Sequence, residues 1–173
     1  MILPICKYGS AVLRKKSEPV KEVTPELVKL AEDMLETMYN SNGVGLAAPQ
    51  VGKNIRLVVI DLSKEEDERN PVILFNPEVV AEDGDNPKET EEEGCLSLPD
   101  IWAKVSRPSR VRLKYTNEKG EDIILSNATG KLARCAQHEL DHLNGVLFVD
   151  KISIADRAIN ASKLKKMAKE AKK

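Results

Sequence analysis

The six residues "QHELDH", 137–142, contain both histidines of this 173-residue chain. On an α-helix, side chains four positions apart lie on one face, about 5 to 6 Å from each other, so His138 and His142 can bind one metal ion. Glu139 would then lie beside the open coordination position of that metal. Two ordinary histidines could flank a glutamate by chance, but the chain has no other histidine. The spacing therefore indicates a metal site on a helix.

Apolar residues recur around this motif, and they predict that the helix carrying it is buried. The helix is expected to run from about residue 128 to residue 143 and to end at Asn144-Gly145, a common C-terminal signal. Buried carboxylates and imidazoles are costly without a partner, and a bound cation would offset that cost. The apolar positions are Leu132, Ala133, Ala136, Leu140 and Leu143.

A catalytic zinc-type centre takes three protein ligands and leaves a fourth position to water, so one ligand is still to be found. Downstream of the motif, Asp150 and Asp156 are the only acidic residues before Glu170. Cys135 is closer and shares a helix face with the first histidine. However, it precedes His142 by seven residues, about 10 Å of helix rise, which is too far for one compact coordination sphere.

The remaining candidate for the third ligand is Cys95, in "EEGCLSLP" (92–99). It would approach the helix from a separate strand or loop. Gly94 lets the backbone come close at this point, and Pro99 is expected to end the extended segment. Cys95 is therefore favoured as the third ligand.

The rest of the chain alternates between helical and strand patterns. A first helix is predicted over 24–40, with Thr24 as N-cap and Pro25 at the first helical position. Strands are predicted at 55–62 and 72–80, and 111–116 and 121–126 look like a hairpin. Because the connections are short, the fold class predicted is α+β, with antiparallel strands around the metal-binding helix and helices near both ends. The final basic segment is also helical in pattern, and one face is shared by Ile154, Ala158, Ala161, Leu164 and Ala168.

Length and composition favour one globular domain. An apolar content of 41% and a charged content of 32% exclude a disordered chain or a membrane protein. No membrane span is expected, and the start lacks the order of a secretory signal, which predicts a cytoplasmic protein. Three widely spaced cysteines argue against a disulfide framework. We expect residues 1–150 to form the catalytic part, and residues 151–173 to form a basic helix that is part of the same domain or a tail.

Charge is unevenly distributed along the chain although its net value is only −1. Residues 61–93 contain thirteen acidic and three basic residues, whereas residues 151–173 contain eight basic and two acidic ones. Both runs have an ordinary interpretation as solvated surface. A basic helix that contacts nucleic acid or a ribosome is the alternative for the C-terminal run.

Three motifs together resemble those of peptide deformylases, in the order of that family. They are "GVGLAAPQ" (43–50), "EGCLS" (93–97) and "QHELDH" (137–142). Four further stretches are also similar to the family, so the resemblance covers nearly the whole chain apart from the basic tail. These stretches are "VLRKKSEPV" (12–20), "NPEVV" (76–80), "SRPSRVRL" (106–113) and "GVLFVDKIS" (145–153).

The resemblance implies a role for seven residues. Glu139 would be the acid/base, Gln50 and the backbone N–H of Leu96 would stabilise the oxyanion, and the backbone of Gly45 would align the substrate. An amide side chain and a backbone N–H are neutral donors suited to an oxyanion, and losing one commonly costs on the order of 10²–10³ in rate. The implied metal ligands are Cys95, His138 and His142.

The reaction implied by the resemblance is hydrolysis of the N-formyl group from the N-terminal formylmethionine of new polypeptides, with release of formate. One divalent metal is implied as cofactor; iron(II) is the usual native ion in the family, and zinc or nickel can replace it. The partners implied are formylmethionyl peptides of nascent chains. The basic C-terminal segment suggests a ribosome contact, and no membrane partner is expected.

Three residues depart from the more common pattern of the family. Trp102 occupies a position that is often polar, whereas Lys131 and Arg134 occupy positions that are often apolar and help line the pocket for the methionine side chain. These departures concern the shape of the pocket and its side-chain preference more than the reaction, because long stems can keep an apolar wall while their charges reach water.

Two other functions are compatible with a metal-binding helix. A zincin-type metallopeptidase would use the same glutamate and metal, but it needs a further ligand downstream. A non-catalytic, metal-stabilised RNA-binding module would need a fourth protein ligand in a closed site.

Overall fold

The computed structural model describes residues 1–171. Within that range the chain forms three α-helices and seven β-strands in a mixed order. The helices are α1 (Pro25–Asn40), α2 (Gly130–Leu143) and α3 (Ile154–Ala171). The strands are β1 (Gly45–Ala47), β2 (Leu57–Ile60), β3 (Val72–Ala81), β4 (Lys88–Cys95), β5 (Leu98–Pro108), β6 (Val111–Thr116) and β7 (Asp122–Ala128).

The strands form two sheets, and every named strand pair is antiparallel. The larger sheet has five strands in the order β1-β2-β3-β6-β7, and β4 and β5 form a separate two-stranded sheet. Because α2 lies between the larger sheet and the β4–β5 hairpin, the hairpin can bring its residues to the helix from the opposite side. The predicted α+β class with antiparallel strands around a central helix is confirmed.

The β4–β5 hairpin is the largest difference from the sequence prediction. Pro99, expected to end an extended segment, lies at the second position of β5, a strand of eleven residues. Proline lacks an N–H, so it is tolerated near the start of a strand that belongs to a two-stranded sheet. Strand β4 has almost no apolar residues, because charged side chains occupy most of it, and it therefore carries no alternating apolar pattern.

Helix α1 follows its sequence signals closely. The hydroxyl of Thr24 accepts a hydrogen bond from the backbone N–H of Leu27 at 3.3 Å, and Pro25 occupies the first helical position. The buried stripe of the helix packs against β1, β2 and β3. Burial of each large apolar side chain contributes roughly 1.5 to 3 kcal/mol. The stripe consists of Ala31, Met34, Leu35 and Met38, and its strand partners include Leu46, Leu57, Val59 and Phe75.

Helix α2 packs one face on the opposite side of the same sheet. Ala136 and Leu143 join a core cluster with Val58, Leu74 and Leu113. The helix begins at Gly130 rather than near residue 128, because Ala128 still pairs with Val111 as the last residue of β7. The expectation that this helix is buried is confirmed.

Helix α3 buries only part of the apolar face expected from its spacing. Leu164 is buried in a cluster with Leu98, Val105 and Phe148, and Asn160 is buried one turn earlier. Of the five apolar residues expected to share a face, Leu164 is buried and Ala168 is half-buried, whereas Ile154, Ala158 and Ala161 are exposed. The face is set by the hairpin that the helix contacts, which the helical period alone does not reveal. No helix within residues 1–171 is both long and apolar enough to cross a membrane.

Candidate metal centre

One thiol and two imidazoles converge where the hairpin meets α2. Cys95, at the end of β4, lies with its Sγ 3.3 Å from His142 Nε2. The rings of His138 and His142 have centroids 5.1 Å apart. One potential ligand atom from each of the three residues lies within 4.8 Å of the other two, and this is the one such group found among residues 1–171. The structure thus brings together the three residues expected to bind a metal.

Cys135 lies outside this group, as its position along the helix predicted. It faces β1, where a Cβ added to Gly45 would lie 2.8 Å from Cys135 Sγ and 3.0 Å from Glu139 Oε1. Burial strongly raises the pKa of the Cys135 thiol, which keeps it protonated. Gly45 therefore lets the edge strand β1 approach the α2 residues closely, and Cys135 fills space beside it.

A buried carboxylate orients the first histidine. Glu93 Oε1 lies 2.9 Å from His138 Nδ1, which directs the other ring nitrogen of His138 away from Glu93. Arg107 donates to both oxygens of Glu93, at 2.6 and 2.9 Å, and also to Asp141 at 2.9 Å. Burial opposes ionisation of Glu93, but the hydrogen bonds from Arg107 and His138 lower its pKa to about 2. Such carboxylate–histidine pairs typically fix a metal-binding imidazole.

Glu93 and Arg107 are functional residues that the sequence interpretation missed. Glu93 was counted in the acidic run read as solvated surface, but it is buried. Its place directly before Gly94 and Cys95 was the available signal. Arg107 was quoted only within a stretch similar to a family, and nothing local marks it as a partner for two acidic residues from different elements.

Arg134 belongs to the same ion network as Glu93 and Arg107. Its guanidinium donates to Glu93 Oε2 at 2.5 Å and to the backbone carbonyls of Val105 and Glu89 at 3.0 and 2.7 Å. Lys131 is exposed. Arg134 therefore fastens both strands of the hairpin to α2, and its influence on side-chain preference stays a prediction.

Trp102 packs over the backbone next to Cys95. A Cβ added to Gly94 would come within 2.4 Å of the Trp102 ring, so the indole covers the glycine that precedes Cys95. The residue is nevertheless 63% exposed. Only a glycine fits beneath this ring, and the outer face of the ring is open to solvent.

Glu139 is buried beside the donor group and is only partly paired. Its Oε1 lies 3.9 Å from His138 Nε2, and its Oε2 has no hydrogen-bond partner within residues 1–171. Burial raises the pKa of Glu139 to about 7. A carboxylate with such a pKa can both accept and donate a proton near neutral pH.

Gln50 and Leu96 both adjoin Cys95. Gln50 Nε2 is 3.5 Å from Cys95 Sγ, so the amide is directed at the donor group. Leu96 follows the cysteine directly, and its carbonyl accepts a hydrogen bond from Lys7 Nζ at 3.2 Å. All seven site residues expected from the sequence are therefore close to the point where the hairpin, β1 and α2 meet.

The donor group fits a metal cation on its own chemistry. Burial alone would lower the pKa of His138, but interactions with Cys95 and Glu93 raise it to about 10. Burial lowers the pKa of His142 well below its ordinary value, which keeps that ring neutral, as a metal-binding imidazole must be. The Oε2 atom of Glu139 is itself buried, and it has no hydrogen-bond partner among the described residues. A cysteine and two histidines are ligands that suit zinc, iron and similar ions.

This fold and this site define a metal-dependent hydrolase. The family model described as polypeptide deformylase matches residues 2–158. The chain belongs to the polypeptide deformylase family, whose members remove the formyl group from the N-terminus of new polypeptides.

Individual relatives agree with this assignment. The chain is 46% identical to a peptide deformylase of Mesorhizobium japonicum over 169 residues, which cover 98% of the chain and 94% of the relative. It is 51% identical to peptide deformylase 1 of Clostridium acetobutylicum over 152 residues, 88% of the chain and 95% of the relative.

Solved structures are similar as well. The peptide deformylase of Synechococcus elongatus in complex with actinonin has a TM-score of 0.86 and 43% identity, with 93% of this chain and 87% of that chain covered. The peptide deformylase of Plasmodium falciparum has a TM-score of 0.88 and 36% identity, with 97% and 96% covered.

Proposed function

We propose that this chain hydrolyses the formyl amide of formylmethionyl N-termini through the centre formed by β4 and α2. The observation that carries the proposal is the convergence of Cys95, His138 and His142 beside the unpaired carboxylate oxygen of Glu139. Membership of the deformylase family supports it.

Cys95, His138 and His142 would hold one divalent metal ion. When bound, such an ion lowers the pKa of a coordinated water and polarises a carbonyl. We propose iron(II) as the native ion, with zinc or nickel as substitutes, because the family usually uses iron. A thiolate with two imidazoles does not by itself select among these ions.

Glu139 is the proposed acid/base. Its free Oε2 would accept a proton from the attacking water and then deliver it to the amine that leaves. Gly45 leaves room for this exchange, since a side chain there would meet Glu139 at 3.0 Å. The same lack of a side chain would let the substrate backbone align along the edge strand β1.

Gln50 and the backbone N–H of Leu96 are the proposed oxyanion donors. The Gln50 amide is buried and directed at Cys95, and Leu96 is the next residue along the chain. Two neutral donors fixed beside the donor group would stabilise negative charge on the formyl oxygen as it develops.

Formate release from a formylmethionyl peptide by the iron-loaded protein tests the proposal. A matched peptide with a free N-terminus serves as the control. We expect formate from the first peptide and no cleavage of the second. Cleavage of internal bonds in the free peptide would favour a zincin-type metallopeptidase, and a metal-replete protein without either activity would favour a non-catalytic RNA-binding module.

The basic side of α3 supports a further part of the proposal. Lys165, Lys166 and Lys169 are exposed. We propose that they contact ribosomal RNA where the nascent substrates emerge, and that the protein acts in the cytoplasm. Lys172 and Lys173, also part of the predicted basic segment, lie outside the described residues. Replacing the three exposed lysines with glutamate should weaken co-sedimentation with ribosomes, and the contact should fall steeply with salt. Unchanged co-sedimentation would contradict it.

A further inference from the structure

The orientation of the Gln50 amide is held by two separate hydrogen bonds. Its Oε1 accepts from the backbone N–H of Ala47 at 2.9 Å, which identifies the oxygen end of the amide. Its Nε2 donates to the hydroxyl of Ser97 at 3.1 Å and lies 3.5 Å from Cys95 Sγ. An amide nitrogen has two hydrogens, so one can bind Ser97 while the other remains on the side of Cys95.

The backbones of Gln50 and Ser97 are fixed by the same N-terminal segment. The N–H of Cys6 donates to the carbonyl of Gln50 at 2.7 Å, and the N–H of Tyr8 donates to the carbonyl of Ser97 at 2.9 Å. Ser97 is completely buried, and Gln50 is nearly so. The hydroxyl of Ser97 therefore presents its oxygen at a fixed place relative to the amide.

We infer that Ser97 is a positioning residue, which acts through Gln50 and rests on the proposed deformylation. By accepting one Nε2 hydrogen, Ser97 directs the other hydrogen toward the metal donors, where the oxyanion would form. The last torsion of a glutamine side chain has a broad energy profile and does not fix the amide plane on its own. Without the hydroxyl, one hydrogen of a buried amide loses its acceptor, and the amide can turn away from the oxyanion.

The first experiment compares Ser97→Ala with the unmodified, metal-loaded chain. We expect kcat to fall about 10- to 100-fold, because misplacing one catalytic group can cost as much as 10² in rate. KM should stay within about threefold, since an interaction made only in the transition state affects kcat. Metal content should not change. Ser97→Thr, which keeps the hydroxyl, should restore part of the lost kcat.

A double-mutant cycle separates action through Gln50 from a general structural role. In the Gln50→Ala background, Ser97→Ala should have almost no further effect on kcat, because the amide it positions is gone. Ser17→Ala is the matched control. Ser17 is also a buried serine, and its hydroxyl has no partner within residues 1–171, so its removal should leave kcat unchanged.

Hydrogen exchange measured by NMR tests the hydrogen bond between Gln50 and Ser97 directly, without any turnover. In the zinc-loaded protein, the two Nε2 hydrogens of Gln50 can be followed by NMR and assigned by their loss in Gln50→Ala. We expect them to exchange slowly with water in the unmodified chain and in Ser17→Ala, but rapidly in Ser97→Ala.

The inference is overturned if Ser97→Ala keeps the unmodified kcat, or if it lowers kcat equally with and without Gln50. Unchanged exchange of the Gln50 hydrogens would overturn it as well. A chain that releases no formate contradicts the proposed function instead, and the NMR comparison then still decides whether Ser97 positions the amide.

Discussion

Helices α2 and α3 have similar lengths and similarly polar sequences, but their polar residues are placed in opposite ways. In α2 the polar residues His138, Glu139 and His142 are buried, and Glu93 and Cys95 of the hairpin lie against the two histidines. In α3 the lysines point outward, and Leu164 and Asn160 are the buried residues between positions 154 and 171. Polar residues in a helix indicate chemistry only when another element buries and pairs them.

This comparison ranks the effects of substitution. Changes at the buried polar residues of α2 or at their hairpin partners should alter the reaction or the metal, because buried charges lose partners that water cannot replace. Changes on α3 should leave the metal and the reaction unaltered, and they should lower stability only at its buried positions.

The largest effect is expected from Glu139→Gln. The amide keeps the shape of the side chain but cannot accept a proton, so deformylation should fall at least 10²-fold while the metal is retained. Formate release and metal analysis on the same sample measure both. Glu170→Gln, on the exposed side of α3, is the matched control and should behave as the unmodified chain. If Glu139→Gln kept more than a tenth of the activity, Glu139 would not be the base.

Substitutions of Cys95 and Cys135 should separate loss of the metal from loss of packing. Cys95→Ser should sharply reduce metal retention and activity, because a neutral hydroxyl replaces a soft anionic ligand. Cys135→Ser should keep the metal and lower the free energy of unfolding by about 1 to 2 kcal/mol, the cost of burying a hydroxyl. Metal stoichiometry and thermal unfolding of both variants test this. The opposite outcome, with the metal lost only from Cys135→Ser, would refute the proposed ligand set.

A smaller effect on the metal is expected at Glu93, which contacts the ligand His138 but is not itself a ligand. Glu93→Gln should weaken metal affinity about 10- to 100-fold, because the partner of His138 Nδ1 loses its charge. Competition with a chelator measures the affinity. Glu92→Gln is the matched control, since Glu92 is the exposed neighbour in the same strand and pairs in register with Lys104. Equal affinities for the two variants would show that Glu93 does not support the centre.

The smallest effect is expected in α3, and it tests whether the C-terminal segment and the rest of the chain form one folding unit. We propose that residues 151–171 belong to the same folding unit as residues 1–150, because Leu164 is buried against the hairpin. Leu164→Ala should then lower the free energy of unfolding by ~2 kcal/mol in a single transition. Ile159→Ala, at an exposed position of the same helix, should change it by less than about 0.5 kcal/mol. A separate unfolding transition for the C-terminal segment would show that it does not belong to the same folding unit as residues 1–150.

The metal-binding helix could be predicted because its information is local. The spacing of His138 and His142 depends only on helix geometry, and the seven-residue separation excluded Cys135 for the same reason. The hairpin could not be predicted in this way, since Glu93, Arg107 and Arg134 stabilise it by ion pairs between distant elements. The sequence did not reveal how much of the apolar face of α3 is buried for a related reason: the neighbour of the helix is a hairpin that the sequence pattern had not revealed.

Trp102 is the sole tryptophan of the chain, and its ring covers the glycine next to Cys95. The molecule therefore contains one indole fluorophore, placed at the edge of its metal centre and open to solvent on one side. A change in the brightness or colour of its emission would report an ion or peptide arriving at that edge, with no background from another tryptophan. We expect this emission to follow binding on the unlabelled protein, independently of whether the bound peptide is hydrolysed.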